Sequence, residues 1–314
     1  MKAGLLEDLT PYIKRNEYFE KSLEGFTFNS KIYAIPRDVS EVVVYYNKDI
    51  FKKKNIPYPD DDWTISDYVN IAGKLSEDTN NDGKNDIWGS GYETDTIFWL
   101  PFLISNGAAI LSDDGQKVMI NSTAAAKALN LYSDIANRYH AAPQKSQSAS
   151  LTMAQLFLQQ KIAMHISGRW LVPKYRSDAE FDWDVVRFPK GTNGSVVNID
   201  ASGYAISKAS KHKEEAIAFV EYISSKNCLK TLSKSGLIVP ARKDAAYSDS
   251  FLSQEAPKNA IAFLKTVETG KATPVNENYR KITDELNIIL EPVFLGKKKA
   301  EDVLPSAAEK FNRF

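Results

Sequence analysis

The stretch KIYAIPRDVSEVVVYYN, residues 31–47, decides how the chain is organised. Its two ends, KIYAIP (31–36) and EVVVYYN (41–47), are rich in β-branched and aromatic residues, which favour strands. The polar segment RDVS separates them. The pattern therefore predicts two neighbouring strands with charged side chains between them.

Strand and helix patterns alternate on either side of this stretch. Thr64 and Asp67 form a capping-box pattern that predicts the start of an amphipathic helix, and QKIAMHISG (160–168) is typical of a buried strand. A chain of 314 residues exceeds the usual size of one hydrophobic core. We therefore expect two α/β lobes with parallel-rich sheets and a ligand cleft beyond the strand ends.

The composition excludes several classes of protein. Forty basic and forty acidic residues cancel, so no global field favours nucleic acid or anionic lipid. No apolar run approaches the roughly 20 residues that span a bilayer, and Met1 opens onto amphipathic sequence without a secretion signal. Cys228 is the single cysteine, so disulfides within the chain and multi-cysteine metal sites are excluded.

The sequence contains no clear catalytic constellation. His140, His165 and His212 are isolated, and none has a second histidine at the spacing of a zinc site. The hydrolase-elbow, phosphate-loop and dinucleotide-binding motifs are absent. Carboxylates are numerous, however, and two of them facing each other across a cleft would suit a glycoside-processing enzyme, which remains the enzymatic alternative.

Aromatic residues at turns and helix starts are the most informative feature for binding. Sugars present flat patches of C–H groups that stack on aromatic rings, and their hydroxyls need charged or amide partners. For any single aromatic residue, packing in the core is an equally good interpretation. The aromatic candidates are Phe98, Trp99, Trp170 and Tyr279, and the polar candidates in turns beside strands are Arg37, Asp38, Arg169, Asn198 and Asp200.

The segment DTNNDGKNDIWG, residues 78–89, has two interpretations. One is a turn held by its own Asx side chains, with Gly83 in a positive-φ position. The other is a structural calcium site that uses the side chains of Asp78, Asn80, Asp82 and Asp86 and the carbonyl of Lys84. The twelfth position of the loop is Gly89, where an EF-hand has a bidentate glutamate, so calcium affinity would be weak.

Several motifs in order resemble the extracellular solute-binding proteins of family 1, the sugar-binding receptors of bacterial ABC importers related to maltose-binding protein. Each motif alone is weak, but their common order is specific. The motifs are AGLLEDLTPYI (3–13), YAIPRDVSEVVVYYNKDIF (33–51), WTISDYVNIAGKL (63–75), DTNNDGKNDIWGSGY (78–92), PFLISNGAAIL (101–111), KIAMHISGRW (161–170), IDASGYAISKASKHKEEAIAFVEYI (199–223) and VPAR (239–242).

The resemblance implies a periplasmic-binding-protein-like type II fold, with two α/β lobes, a hinge and an interlobe cleft. It implies residues 1–40 and 201–252 for the first lobe and 41–200 and 253–314 for the second. It is incomplete at the start of the chain, where the family has two further strand–helix units, a signal peptide and a lipid-anchor cysteine. We therefore expect the first lobe to lack its leading strands.

The resemblance also implies a function and a set of site residues. The protein would be a non-enzymatic, monomeric receptor that needs no cofactor and delivers a carbohydrate to permease subunits. It would act at the extracellular face of the bacterial membrane, lipid-anchored, or in the periplasm. A polyol or glycerol-phosphate ligand remains an alternative to a sugar. Carried over by position, the cleft residues are Arg37, Asp38 and Ser40 at the first crossing, Phe98 and Trp99 from the second lobe, Arg169 and the stacking Trp170, Asn198, Asp200 and Ser202 at the second crossing, and Tyr279.

Overall fold

The computed structural model describes residues 1, 3–144, 146–148, 150–253, 255–274 and 276–313. The strands are β1 (Thr27–Phe28), β2 (Lys31–Ile32), β3 (Ile35–Ser40), β4 (Val43–Asn47), β5 (Met164–Ser167), β6 (Trp183–Val186), β7 (Asn198–Tyr204), β8 (Val239–Pro240) and β9 (Lys271–Ala272).

Fifteen α-helices accompany the strands in the described part of the chain, together with short 3₁₀ turns at Thr10–Tyr12, Arg15–Glu17 and Arg169–Leu171. The helices are α1 (Glu20–Glu24), α2 (Lys48–Lys53), α3 (Ile65–Leu75), α4 (Thr96–Ser105), α5 (Thr123–Asn137), α6 (Met153–Leu158), α7 (Val172–Asp178), α8 (Lys213–Ile223), α9 (Lys226–Ser233), α10 (Lys243–Ala246), α11 (Asp249–Leu252), α12 (Ile261–Thr269), α13 (Tyr279–Ile289), α14 (Glu291–Phe294) and α15 (Ala300–Phe311).

Two main sheets organise the molecule. The first sheet has the strand order β8-β3-β7-β9 and the second has the order β5-β4-β6. The chain leaves the first sheet after Ser40 and enters the second at Val43, so β3 and β4 are consecutive but belong to different sheets. The prediction that the segments 31–36 and 41–47 form neighbouring strands is therefore wrong, because β3 and β4 each pair with strands from distant parts of the chain, and Lys31–Ile32 pairs with β1.

The expected parallel-rich sheets are also not what the structure has. Among the described residues, the pairings of β3 with β7 and β8, and of β4 with β5 and β6, are all antiparallel. Only β7 and β9 run parallel in these two sheets, as far as the described residues go. The alternation of strands and helices along the sequence was correct, but it does not by itself specify which strands pair.

The central strand of each sheet is shaped by its sequence. Every residue of β4, Val43–Asn47, is buried, as expected for an apolar run covered on both faces. In β3, Pro36 pairs with Gly203 and Asp38 pairs with Ser202, so Arg37 is the extra residue of a β-bulge. A bulge turns its side chain out of the regular alternation, and such bulges are frequent at functional sites.

The helix α3 confirms the prediction from the capping-box pattern. The Asp67 amide donates to Thr64 Oγ1 at 3.1 Å, and the Thr64 amide donates to Asp67 Oδ2 at 2.8 Å. Its apolar face, which includes Tyr68 and Leu75, is buried in a core that extends across the second sheet. A smaller core lies under β3. No helix among the described residues has the length and apolar character of a bilayer-spanning segment.

Candidate functional site

A cavity of about 250 Å³ lies where the chain passes from the first sheet to the second. Six of the predicted site residues line it: Arg37, Asp38, Ser40, Arg169, Trp170 and Ser202. Asp38 and Ser40 come from β3, and Ser202 lies opposite Asp38 on β7. Arg169 and Trp170 form the 3₁₀ turn that follows β5. The cavity therefore combines side chains from both sheets.

Other hollows exist on the surface. One of them, of about 870 Å³, is lined by α3 together with residues such as Tyr139 and Lys190. It has no buried charged group among its described lining residues. The smaller cavity between the sheets is the better candidate because buried charged groups and an aromatic ring converge on it.

Trp170 forms one wall of the cavity, and its ring position depends on Gly168. The ring packs directly over this glycine: a Cβ atom at Gly168 would lie 1.9 Å from Cζ3 of Trp170. The Gly168 carbonyl accepts a hydrogen bond of 2.8 Å from the buried Tyr45 hydroxyl, which ties the turn to β4. Trp170 is half-buried, so part of its indole remains accessible from the cavity.

Arg37 and Asp38 form a charged pair at the bulge. Arg37 Nε donates to Asp38 Oδ2 at 2.5 Å, and the Asp38 side chain is buried whereas Arg37 is about one-third exposed. This geometry fixes both side chains at the edge of the cavity. Charge-assisted hydrogen bonds of this kind are among the stronger polar contacts in proteins.

Glu41 is a cavity residue that the sequence interpretation did not single out. It lies in the crossing between β3 and β4, is 2% exposed, and neither carboxylate oxygen has a hydrogen-bond partner among the described residues. Burial raises the pKa of Glu41 well above its usual value, and the nearby Asp38 adds to this effect while Arg169 opposes it. The sequence feature that could have identified Glu41 is that it is a lone charge inside the mainly apolar run 39–46.

Arg169 is the second buried charge in the cavity, at 2% exposure. Its guanidinium carbon lies 3.8 Å from the ring centre of Phe251 and 5.0 Å from that of Phe263. Burial lowers the pKa of Arg169 to about 10, so the group remains a cation at neutral pH. Nε, Nη1 and Nη2 all lack hydrogen-bond partners within the part of the chain that the structure describes.

Asn198 and Tyr279 line a separate, narrow hollow of about 30 Å³, together with residues of α4 and β9. Asn198 is buried, and its Nδ2 lies 3.4 Å from Asp200 Oδ2. The Asp200 side chain reaches water, but many protein atoms lie close to its carboxyl group. This partial desolvation raises the pKa of the carboxyl group. Burial also raises the pKa of Tyr279, and Asp200 contributes to the shift. The structure therefore separates these three residues from the main cavity.

The structure does not place Trp99 at a cleft. The side chain is fully buried, its Nε1 donates to the Thr94 carbonyl at 3.2 Å, and its ring packs 6.2 Å from that of Phe294. The prediction that Trp99 contacts ligand is wrong in this structure because no part of the ring is accessible. Its neighbour Phe98 is half-buried on α4 and packs against the same core.

The loop 78–89 is held by its own side chains. Asp78 Oδ2 accepts from the Gly83 amide at 2.8 Å, and Asn80 Oδ1 accepts from the Asp82 amide at 2.8 Å. Asp82 Oδ1 accepts from the Lys84 amide, and Asp86 accepts from Thr79. Gly83 has φ +85°, as the turn interpretation expects.

These bonds are sufficient to hold the loop as a turn. In the described residues, no three His, Cys, Asp or Glu side chains form a group that could hold a metal ion. The carboxylates of Asp78 and Asp82 instead accept backbone N–H groups, which is the arrangement of an Asx-rich turn. The contacts therefore favour the turn interpretation, and calcium binding by this loop is a question for experiment.

His165 is a core residue with hydrogen-bond partners. It is buried on β5, with Nδ1 2.6 Å from the Tyr175 hydroxyl and Nε2 3.3 Å from Glu93 Oε2. Both ring nitrogens of His165 therefore have hydrogen-bond partners. His165 does not line the cavity between the sheets.

The chain is similar to known binding proteins over nearly its whole length. The galactooligosaccharide-binding protein of Bacillus subtilis is 26% identical over 98% of this chain and 72% of its own length. The maltooligosaccharide ABC transporter solute-binding lipoprotein of Streptococcus pneumoniae is 22% identical over 87% of this chain and 63% of its own length.

Solved structures share the fold. An ABC substrate-binding protein from Listeria monocytogenes, in complex with cycloalternan, superposes with a TM-score of 0.88 and 27% identity, covering 99% of this chain and 80% of that one. The maltose/maltodextrin-binding domain of Bdellovibrio bacteriovorus, bound to maltotriose, gives a TM-score of 0.80 at 23% identity, covering 100% and 82%. The fold is accordingly the two-lobed, maltose-binding type of periplasmic binding protein, as predicted.

The family model described as bacterial extracellular solute-binding protein matches residues 1–261. This match covers most of the chain, and it agrees with the two sheets, the crossing between them and the cavity at that crossing. The protein belongs to the family of bacterial extracellular solute-binding proteins.

Proposed function

We propose that this protein is the substrate-binding component of a bacterial ABC importer, which captures a carbohydrate between its two lobes and delivers it to a membrane permease. The observation that carries the proposal is the cavity at the crossing, where the accessible indole of Trp170 faces buried charged groups. An aromatic wall with a few convergent polar groups suits a ring that has apolar faces and hydroxyl edges.

The similar proteins support this choice of ligand. The relatives named above carry galactooligosaccharide and maltooligosaccharide in their names, and the solved structures hold cycloalternan and maltotriose. We propose that the ligand of this chain is likewise a saccharide rather than a polyol or a glycerol phosphate. We further propose a monomer at the outer face of the membrane, lipid-anchored, or in the periplasm.

The first boundary of the proposed lobes lies at the change of sheet. Residues 1–40 and 201–252 form the first lobe in this proposal, and residues 41–200 and 253–314 form the second. The departure of the chain from the first sheet after Ser40 supports the first boundary. Ligand contacts from both lobes would then favour a closed arrangement.

Within this proposal, Trp170 stacks on the sugar, and Asp38, Arg37, Ser40, Ser202 and Arg169 supply polar contacts. Asn198, Asp200 and Tyr279 would serve a second, narrower part of the site. Phe98 on α4 is partly exposed, but it is not among the described residues that line the main cavity.

Calorimetric titration with maltotriose, galactotriose and cycloalternan tests the proposal. We expect saturable 1:1 binding of at least one of them, and a loss of about 1–3 kcal/mol in the Trp170→Ala variant. Tyr222→Ala is the matched control, because Tyr222 is 68% exposed on α8 and does not line the cavity. An absence of binding by all three sugars refutes the proposal.

The second candidate function is a glycoside-processing enzyme. The observation that favours it is the presence of two carboxylates, Asp38 and Glu41, in one cavity, with the pKa of Glu41 raised as in a general acid. Incubation with the same sugars and analysis of products separates the two functions. Turnover that is abolished by Glu41→Gln would establish the enzyme, whereas binding without product supports the receptor.

A further inference from the structure

Glu41 and Arg169 are two opposite charges that face one cavity without bonding to other groups. Both are 2% exposed, and together they leave two carboxylate oxygens and three guanidinium nitrogens without hydrogen-bond partners among the described residues. Buried polar atoms are normally hydrogen-bonded, and leaving them unpaired is costly. Such a concentration of unpaired atoms at a cavity indicates a ligand-binding function.

Two aromatic rings lie beside the guanidinium of Arg169. The ring of Phe251 lies 3.8 Å from Cζ, within stacking distance, and Phe263 is close by at 5.0 Å. Aromatic rings that pack against the face of a guanidinium leave its N–H groups to donate in the plane of its edge. The N–H groups of Arg169 therefore remain available to donate hydrogen bonds to a ligand.

We propose that Glu41 and Arg169 are a specificity-determining pair that binds hydroxyl groups of an uncharged saccharide and discriminates against saccharides that carry carboxylates. This inference rests on the proposed function and names the substrate class of that site. A hydroxyl group donates one hydrogen bond and accepts others, so it can donate to Glu41 and accept from Arg169 at once.

The charges that line the cavity support an uncharged ligand. The two cations, Arg37 and Arg169, balance the two carboxylates, Asp38 and Glu41. Arg37 is already bound to Asp38 at 2.5 Å, so Glu41 is the charge that balances Arg169. An added carboxylate would be a third negative charge in a poorly solvated cavity, which is unfavourable without a further cation.

The test uses two matched pairs of sugars in wild-type protein and in charge variants. The pairs are galactotriose with trigalacturonate, and maltotriose with its triuronate, in which each C6 hydroxymethyl group is oxidised to a carboxylate. The variants are Glu41→Gln, which leaves Arg169 uncompensated, and Arg169→Gln, which leaves Glu41 uncompensated. Glu221→Gln on the exposed face of α8 is the control for the loss of one negative charge.

We expect wild-type protein to bind the neutral member of at least one pair more tightly than the acidic member. Glu41→Gln should weaken neutral binding by about 10- to 150-fold, the range expected for a lost hydrogen bond to a charged group, and should reduce the preference for the neutral sugar. Arg169→Gln should weaken neutral binding and increase the preference, because it leaves a net negative cavity. Glu221→Gln should behave as wild type.

A wild-type preference for the acidic sugars overturns this inference but leaves the proposed carbohydrate function standing. An unchanged preference for the neutral sugar in Glu41→Gln protein, shown by circular dichroism to be folded, also overturns this inference and leaves the carbohydrate function standing. If Glu41→Gln does not fold, the preference of Arg169→Gln for neutral over acidic sugar tests the inference instead. If neither variant folds, the preference of the wild-type protein tests it. Failure of all four sugars to bind overturns the proposed function, and the specificity pair with it.

Discussion

Gly168→Ala is the substitution that most directly tests the role of Trp170, because it moves the indole without removing it. Gly168 has φ −98° and ψ −179°, an extended conformation that alanine adopts without strain. The new Cβ would lie 1.9 Å from Cζ3 and 2.4 Å from Cε3 and Cη2 of Trp170. The effect of the substitution is therefore a clash with the ring rather than with the backbone conformation.

The size of the displacement follows from this distance. Carbon atoms in contact lie about 3.5–4.0 Å apart, so the ring has to move by roughly 1.6–2.1 Å. A shift of that size removes the indole from its stacking position. We expect the loss of about 1–3 kcal/mol of sugar binding, which corresponds to a dissociation constant that is about 5- to 160-fold higher.

Calorimetry with the best-binding sugar measures this effect, and a double-mutant cycle assigns it to the ring. Trp170→Ala removes the clash partner, so adding Gly168→Ala to that variant should change the affinity no further. Gly73→Ala is the matched control, because a Cβ at Gly73 meets no atom within 4 Å on α3. Affinity of Gly168→Ala within twofold of wild type, or additive effects in the double variant, would refute the reasoning.

Three further predictions concern other parts of the molecule. Thr64→Ala should lower the free energy of unfolding by about 1 kcal/mol in urea titrations, because it removes the N-cap bond to the Asp67 amide. Millimolar calcium should leave the melting temperature unchanged, because the carboxylates of the loop 78–89 accept backbone N–H groups. A rise in melting temperature with calcium that Asp82→Ala abolishes would contradict this turn interpretation. Affinity for neutral sugar should fall as the pH is lowered, since burial raises the pKa of Glu41 and protonation removes the carboxylate that accepts a sugar hydroxyl, with Asp38, Arg37 and Arg169 as the neighbouring charges; a pH-independent affinity would contradict it.

Local patterns in the sequence predicted elements well where the determining residues are close together. The α3 helix begins with the Thr64 and Asp67 capping box that the spacing indicates, and β5 lies within the buried run at 160–168. Asp38 and Trp170, which the motif order assigned to one cleft, line the same cavity in the structure. These successes concern residues whose roles are set by neighbours in the chain or by the family pattern.

Strand pairing was mispredicted because it depends on distant residues. The segment 35–40, part of which was interpreted as a polar separator, is the strand β3, and its partner β7 comes much later in the chain. Polar residues occur in this strand because its residues 37–40 line the cavity. Alternation along the sequence records which faces are buried, but not which strand lies beside which.

Trp99 and Glu41 show the same limitation at the level of side chains. The helix α4 reads TIFWLPFLIS and is apolar on all sides, so no stripe distinguishes the core-facing Trp99 from the more accessible Phe98. The position of Trp99 is set by contacts such as Phe294, far along the chain. Glu41 was overlooked because the apolar residues around it predict a buried strand, and its importance depends on the opposing Arg169.

The energies of these contacts also bear on how the two lobes would close on a sugar. Shifting a two-state equilibrium from 1:99 to 99:1 requires the ligand to prefer the closed state by about 5.5 kcal/mol. Stacking on Trp170 contributes about 1–3 kcal/mol, which is too little alone. Hydrogen bonds to charged groups contribute about 1.5–3 kcal/mol each, so bonds to both Glu41 and Arg169 would bring the total to about 4–9 kcal/mol. Glu41, Arg169 and Trp170 all belong to the proposed second lobe, so they can hold the sugar in the open state as well. Closure should therefore depend on the contacts that Asp38 and Ser40 of the first lobe add.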